Sequence, residues 1–196
     1  MVSTNIPLFP LNSVLFPGGT LPLRIFEIRY IDMISYCMRN HCGFGVCLIR
    51  EGEEIGRAAL TYDIGTLVEI VDFDRSEEGL LHIEVVGRQR FKIFSREVQP
   101  DQLITADVEF IPNEPHQELP KDYDRLPDIL EQFIKHLGNL YKITESDYQN
   151  ATWISYRLSE LLPMLFTQRQ YLLELTDPIQ RLEGIGNILT ALDIRY

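Results

Sequence analysis

The hydrophobic period of this 196-residue chain changes once, abruptly, near residue 112. Before that point apolar residues tend to recur at every second position; after it they recur at every third or fourth. A period of two belongs to strands and a period near 3.6 to helices. A single switch from one to the other predicts an α+β chain, with strands first and helices after. Pro112, Pro115, Pro120 and Pro127 stand at the switch among acidic and polar residues, which reads as a linker or an ordered connecting arm. The expected divisions are residues 1–112 as a β subdomain, 113–127 as linker and 128–196 as a helical subdomain.

Within the β part, Ile64 to Phe73 is rich in β-branched residues (Ile64, Thr66, Val68, Ile70), and Asp74 to Gly79 is a turn signal. Leu81, Ile83 and Val85 then alternate with His82, Glu84 and Val86. Gly87 breaks that run, marking a bend or bulge, and Phe91, Ile93 and Val98 continue as a third strand. Leu103 to Ile111 is a fourth, with Ile104, Ala106, Val108 and Phe110 on one face. Short strands joined by short turns predict a meander closing into a small antiparallel β-barrel. One inserted helix is expected over Glu27 to Asn40, with Ile28, Ile31, Ile34 and Met38 on its apolar side. Glu27 at its start and Arg39 near its end suit the helix dipole. Phe44 to Ile49 reads as a buried strand.

In the helical part, Leu126, Leu130, Phe133, Leu137 and Leu140 form an amphipathic stripe. A second helix spans about Asp147 to Leu162 and stops before Pro163. Thr167 with Gln170 reads as a capping box opening a short third helix. Asp177 followed by Pro178 is an N-cap with proline in the first turn, opening a fourth through Leu182, Ile185, Leu189 and Leu192.

Charge narrows the function classes. The chain carries 18 basic against 29 acidic residues, a net of −11, and the excess of acid is present on both sides of residue 112. Nucleic-acid binding relies on clustered Lys and Arg. The nearest approach is Arg88, Arg90, Lys92 and Arg96, which would share one face of a strand; an RNA-binding module is the alternative this run keeps open. No apolar run approaches the roughly 18 residues needed to span a bilayer. The amino terminus lacks the charged start of a signal peptide. Three cysteines are an odd number for a secreted disulfide framework, so a reducing cytoplasm is the expected compartment.

The search for reactive chemistry is negative. No glycine precedes a lysine, so no Walker A loop exists, and there is no G-x-S-x-G elbow or H-E-x-x-H pair. Cys37, Cys42 and Cys47 with His41 fit zinc spacing only loosely; the better reading is small core residues. Glu51, Glu53 and Glu54 read as a solvated turn, and His41, His82, His116 and His136 are scattered. No catalytic residue, metal or cofactor is expected. The remaining signal is apolar. Leu8, Phe9, Leu11, Val14, Leu15, Phe16, Leu21 and Leu23 crowd the first 25 residues with Pro7, Pro10, Pro17 and Pro22. Much of this reads as an edge strand and an arm packed on the core. The candidate peptide-binding residues within and beside it are Phe9, Leu15, Phe16, Leu21 and Phe26, arranged so that an extended segment could add to a sheet edge.

The stretches IPLFPLNSVLFPGG (Ile6 to Gly19) and LPLRIFEIRY (Leu21 to Tyr30) resemble the opening of the Lon protease amino-terminal, substrate-binding domain. VGRQRFKI (Val86 to Ile93) is similar to that family's G-x-x-R-F-x-I strand, and RQYLLELTDPIQRL (Arg169 to Leu182) resembles its carboxy-terminal helical signature. The resemblance covers nearly the whole chain in order. It implies a PUA-like β-barrel followed by a helical bundle, and a non-catalytic module that binds unfolded or extended polypeptide. Pro10, Pro17, Pro22, Leu23, Phe26, Arg29, Tyr30, Gly87, Arg90 and Phe91 match the family's motifs and look mainly architectural. The chain ends at Tyr196, before the place of an AAA+ ATPase or peptidase domain. The expectation is therefore a stand-alone module, with a separate protease or chaperone as a further candidate partner. Nothing in the residues sets the oligomeric state.

Overall fold

The computed structural model describes residues 4–75, 80–135 and 144–194, and the chain divides into two compact units, Met1–Asn113 and Glu114–Tyr196. Among its described residues the first contains seven strands and one helix: β1 (Thr4–Leu11), β2 (Thr20–Ile25), α1 (Ile28–Asn40), β3 (Phe44–Glu51), β4 (Leu60–Thr61), β5 (Ile64–Arg75), β6 (Leu81–Val98) and β7 (Ile104–Phe110). Strands with one inserted helix are the α+β order the sequence implies. β5, β6 and β7 form the expected antiparallel meander. β7 pairs with β1, β1 with β3 and β3 with β5, so the pairing path ends on the strand where it begins. One pairing departs from the all-antiparallel expectation. β1 and β3 run parallel, with Leu8 opposite Gly45 and Leu11 opposite Leu48. Parallel neighbours need a long crossover, and β2 with α1 supplies it.

Gly87 does not end a strand. β6 runs through it for 18 residues, keeping β5 on one side while β2 (opposite 81–86) and then β7 (opposite 91–98) share the other. Bulges make this handover possible by bending the strand. The register passes from Val68↔Gly87 to Leu67↔Gln89, leaving Arg88 extra, and from Ile93↔Val108 to Ser95↔Asp107, leaving Phe94 extra. Gly87 is also where the segment between β1 and β2 crosses the sheet. Gly18 N donates to the Gly87 carbonyl at 2.8 Å, and Gly87 N donates to that of Gly19 at 2.9 Å. A Cβ at Gly87 would stand 2.4 Å from the Phe16 carbonyl oxygen. The crossing segment reverses over Phe16–Gly19, closed by a 3.0 Å bond from Gly19 N to Phe16 O. Pro17 occupies the second position of this turn and Gly18, at φ 77°, the third, as a type II turn requires.

Two apolar clusters fill this unit. Ile6, Leu8, Cys47, Phe91, Ile93, Ile104, Ala106 and Val108 make one. Phe9, Leu11, Leu15, Leu23 and Ile25 pack with Tyr30, Met33, Ile34 and Cys37 of α1 in the other. β1 contributes to both, which is why its apolar residues run on rather than alternate. The buried face of α1 is rotated from the expected one. Tyr30, Met33, Ile34 and Cys37 face inward while Ile28 is 76% exposed, because positions i, i+3, i+4 and i+7 of that set form the tighter helical stripe.

The second unit holds α2 (Leu126–Lys135), α3 (Ala151–Leu161), α4 (Phe166–Glu174) and α5 (Pro178–Ala191) among its described residues. Leu137 and Leu140 of the expected first stripe lie outside them. The second helix begins later than expected, since Asp147–Gln149 form a single 3-10 turn and Asn150 caps α3 by accepting from Thr152 N and Trp153 N. α4 begins earlier. Its N-cap is Leu165, whose N–H donates to the Gln168 side chain at 2.9 Å, and Thr167 lies inside the helix. α5 opens as read, with Asp177 Oδ1 accepting from Ile179 N at 2.8 Å.

The proline-bearing stretch read as linker is woven into this unit at its start. Ala151 N donates to Gln117 O, Leu119 N to Gln149 O, and Thr152 Oγ1 to Pro115 O. Glu114, with 3% of its side chain exposed, meets Arg181 of α5, whose side chain is fully buried. The guanidinium holds both carboxylate oxygens, at 2.5 and 3.0 Å. It also donates to Ser155 Oγ and to the carbonyls of Leu172 and Leu175. Tyr156 covers it at 4.3 Å from the ring centroid and donates its hydroxyl to Glu114.

Two outcomes follow from these contacts. Gly87→Ala should destabilise the first unit by about 1–3 kcal/mol through overpacking against backbone, read as a lower denaturation midpoint by tyrosine near-ultraviolet dichroism. Arg181→Ala should cost about 3–5 kcal/mol by removing the cation that balances the buried Glu114 carboxylate. Trp153, the chain's one tryptophan, reports that unit by fluorescence, and a midpoint equal to wild type would contradict the assignment.

Candidate polypeptide-binding surface

The apolar amino-terminal residues build a groove in the first unit. Phe9 and Leu11 of β1 and Tyr30 of α1 lie on one part of its lining; Pro22 to Glu27 contribute another, and Glu54 and Ile55 from the β3–β4 connection a third. The open space is ≈ 200 Å³. Phe9 and Tyr30 are stacked at a tilt, ring centroids 4.3 Å apart, and both are nearly buried. Phe26 and Ile55, by contrast, are 52% and 58% exposed. The groove is thus an aromatic hollow with apolar residues left open to water beside it.

Polar contacts fix its walls. Glu54 accepts from Asn12 N at 2.6 Å, tying the β3–β4 connection to the chain leaving β1. That single bond assigns the acidic turn a structural part that its sequence did not disclose. Arg29 is held by Glu27 at 3.0 Å and by the Gln102 carbonyl at 2.9 Å, and Glu27 also accepts from Gly56 N. Burial pushes the Tyr30 hydroxyl up to about 12, with Arg29 opposing and Glu27 and Glu54 adding, so the ring stays neutral.

β2 forms the strand side of the groove. It pairs with β6 from Thr20↔Val86 to Ile25↔Leu81, and its other edge carries no strand among the described residues. Leu21, Leu23 and Ile25 turn inward while Pro22 and Arg24 face out. Unpaired edges attract other chains, and proline blunts that tendency by removing a donor.

Residues 5–191 match the sequence profile of the ATP-dependent protease La (LON) substrate-binding domain. The chain belongs to this family. It is similar to the crystal structure of a Lon N-terminal domain protein from Xanthomonas campestris, with 35% identity and a TM-score of 0.81 over 94% of this chain and 98% of that one. The N-terminal domain of Mycobacterium avium complex Lon protease shares the fold at TM-score 0.62 and 14% identity, over 94% of this chain and 97% of that one. The Lon protease of Anaeromyxobacter dehalogenans (strain 2CP-C) is 34% identical over 108 residues, 54% of this chain and 13% of that protein. Protein cereblon of Danio rerio is 30% identical over 112 residues, 55% of this chain and 26% of that protein. The chain therefore spans a small part of the length of these two relatives.

The five candidate residues separate by burial. Phe9 lines the groove as part of its nearly closed floor. Leu15 and Phe16 are core, 5% and 0% exposed, where the crossing segment packs on the sheet. Leu21 is partly buried against the same core. Phe26 is open at the groove. Ile55 joins it there and was missed, because a lone isoleucine in an acidic turn carries no periodic signal. The RNA-binding alternative is not favoured. The Arg88 bulge breaks the shared face: Arg90 is 2% exposed, Arg88 is held by Glu69 at 2.6 Å and Arg96 by Asp63 at 2.6 Å. No helix among the described residues is long and apolar enough to cross a membrane.

A larger hollow of ≈ 440 Å³ lies elsewhere on the same unit, between the end of α1 (Cys37, Met38, His41, Cys42) and β5 (Leu67 to Phe73). Burial raises the Cys37 and Cys47 thiols from 9.0 to about 12, assisted at Cys37 by Cys42 and opposed at Cys47 by Arg96. A thiol that ionises at higher pH when folded than unfolded contributes stability below the unfolded value and loses it as pH climbs. The denaturation midpoint of the first unit should therefore fall between pH 9 and about 12, with Tyr30 adding to the fall above 10. A flat profile of midpoint against pH across that interval would contradict the burial assigned to these groups.

Proposed function

We propose that the chain is a non-catalytic polypeptide-binding module, and that the groove beside β2 receives a side chain from an extended apolar segment. The observation that carries this reading is the pairing of exposed Phe26 and Ile55 with an aromatic hollow next to an edge that carries no strand among the described residues. Membership of the Lon substrate-binding family supports the class of ligand. A space of ≈ 200 Å³ is smaller than a typical small-molecule site of roughly 300–1,000 Å³, and it suits a single apolar side chain. Backbone bonds to β2 would then fix register without reading sequence, while apolar burial supplies affinity.

The sheet reads as a PUA-like barrel on this proposal, since its pairing path returns to β1. The module acts by binding, in the cytoplasm, and its clients are unfolded or extended segments that a protease or chaperone can share. The division into a strand domain, a connecting segment 113–127 and a helical domain 128–196 belongs to the same reading.

The test is titration of the intact protein with fluorescent, permanently unfolded apolar polypeptide, followed by anisotropy. Phe26→Ala and Ile55→Ala should each weaken binding about tenfold, as truncation of a contact worth roughly 1.4 kcal/mol would, with melting temperatures unchanged. Arg88→Glu should leave affinity as it is. Wild-type affinity in both apolar variants would overturn the groove assignment.

A further inference from the structure

The carboxy-terminal end of α1 brings two thiols together. His41 sits in the left-handed region at φ 50°, and its N–H donates to the Cys37 carbonyl. Cys42 N donates to the same carbonyl at 3.0 Å. A bond from the residue after the left-handed one, back across six residues, is the mark of the Schellman ending, which commonly stacks the two side chains it joins. Here both side chains are cysteines. Cys42 is exposed, Cys37 is buried, and Cys42 lies close enough to help raise the Cys37 thiol. Cys37 Sγ also reaches the Gly43 carbonyl at 3.6 Å. Cys47 packs in the other apolar cluster, with Phe91 and Leu8 rather than with α1. The pair lines the ≈ 440 Å³ hollow, which gives a small solute access to Cys42.

We propose that Cys37 and Cys42 are a redox-responsive dithiol, oxidised by peroxide or by a low-molecular-weight disulfide to an intrachain disulfide that ties the end of α1 to the chain entering β3. The exposed Cys42 reacts first, as its thiolate. With hydrogen peroxide, Cys42 sulfur displaces hydroxide from the O–O bond and becomes a sulfenic acid. Cys37 sulfur then attacks that sulfur, the S–O bond breaks, and water leaves with the Cys37 proton. Two thiols and one peroxide give one disulfide and two waters. With a small disulfide, Cys42 forms a mixed disulfide by releasing one thiol, and Cys37 displaces the second. The buried partner makes the second step intramolecular, so the modified Cys42 is resolved rather than left capped. This inference does not rest on the polypeptide-binding reading, and it concerns a different part of the unit.

The native full-length protein is treated with oxidised glutathione or with hydrogen peroxide, alkylated in acid and digested with trypsin. Cleavage after Arg39 places Cys37 in the peptide Tyr30–Arg39 and Cys42 in Asn40–Arg50, together with Cys47. Fragmentation of the linked pair then assigns the sulfur. The expected product is a Cys37–Cys42 link, reversed by dithiothreitol and absent from Cys42→Ser, whose melting temperature should match wild type because the replaced thiol is exposed. Glutathione or sulfinate retained on Cys42 beside a free Cys37 would overturn the proposal. So would a link from Cys37 to Cys47.

Discussion

A guanidinium removed from water must have its charge balanced and its five N–H groups bonded, or the fold that buries it is lost. Arg181 meets both demands. Two N–H groups go to the two oxygens of Glu114, one to Ser155 and two to the carbonyls of Leu172 and Leu175. Those carbonyls belong to the last turn and the cap of α4, where backbone acceptors have no intrahelical donor. The same side chain therefore neutralises the incoming segment, closes the end of α4 and anchors α5 against α3. None of these elements is long enough to be stable alone in water. Their common dependence on one buried cation is what makes a set of short helices into one packed unit.

The first unit is organised by a steric rather than an electrostatic constraint. The chain leaving β1 must cross β6 and return as β2, and it can do so only where β6 has no side chain in the way. Gly87 provides that place, with the Phe16 carbonyl where a Cβ contact would fall. The turn at Pro17–Gly18 then sends the chain back along β6 as β2. Because β2 occupies 81–86, β7 must take its share of β6 further along, and the bulge at Arg88 bends the strand between the two. The edge of β2 that carries no strand among the described residues and the groove beside it both descend from this crossing. A second fixed point, the bond from Asn12 N to Glu54, holds the opposite wall.

How much of this was legible follows from which constraints are local. Strand and helix regimes, the inserted helix, the Asp177–Pro178 start of α5 and the stop at Pro163 are written in residue periods and caps. The parallel β1–β3 pairing is not, because register between strands far apart in sequence depends on what lies between them. Ile28 was assigned to the buried face of α1 because isoleucine is apolar, yet Tyr30 and Cys37 are the residues that meet the core. Glu114 sat in a proline-bearing acidic stretch whose composition suggests solvent, and only its distant partner explains its burial. Phe16 and Phe26 look alike in sequence; one is fully enclosed and the other half open, a difference set by the crossing at Gly87. Arg181 lay within a segment recognised by resemblance, but its carboxylate partner was 67 residues away.

Recognition of unfolded chains imposes a requirement that the groove's composition can meet. A binder of many sequences must obtain most of its register from the backbone, which every extended chain shares, and little from side-chain hydrogen bonds, which would select among them. In the proposed reading β2 supplies the first and the Phe9–Tyr30 hollow supplies a chemically undemanding apolar contact. Pro22 matters in this balance. An edge strand able to donate at every position would pair with other edges indiscriminately, including copies of itself; a strand with one donor removed accepts fewer registers. The apolar contact at Phe26 and Ile55 then decides which of those registers is held. Affinity from a single side-chain contact is modest, which favours release of a client as well as its capture.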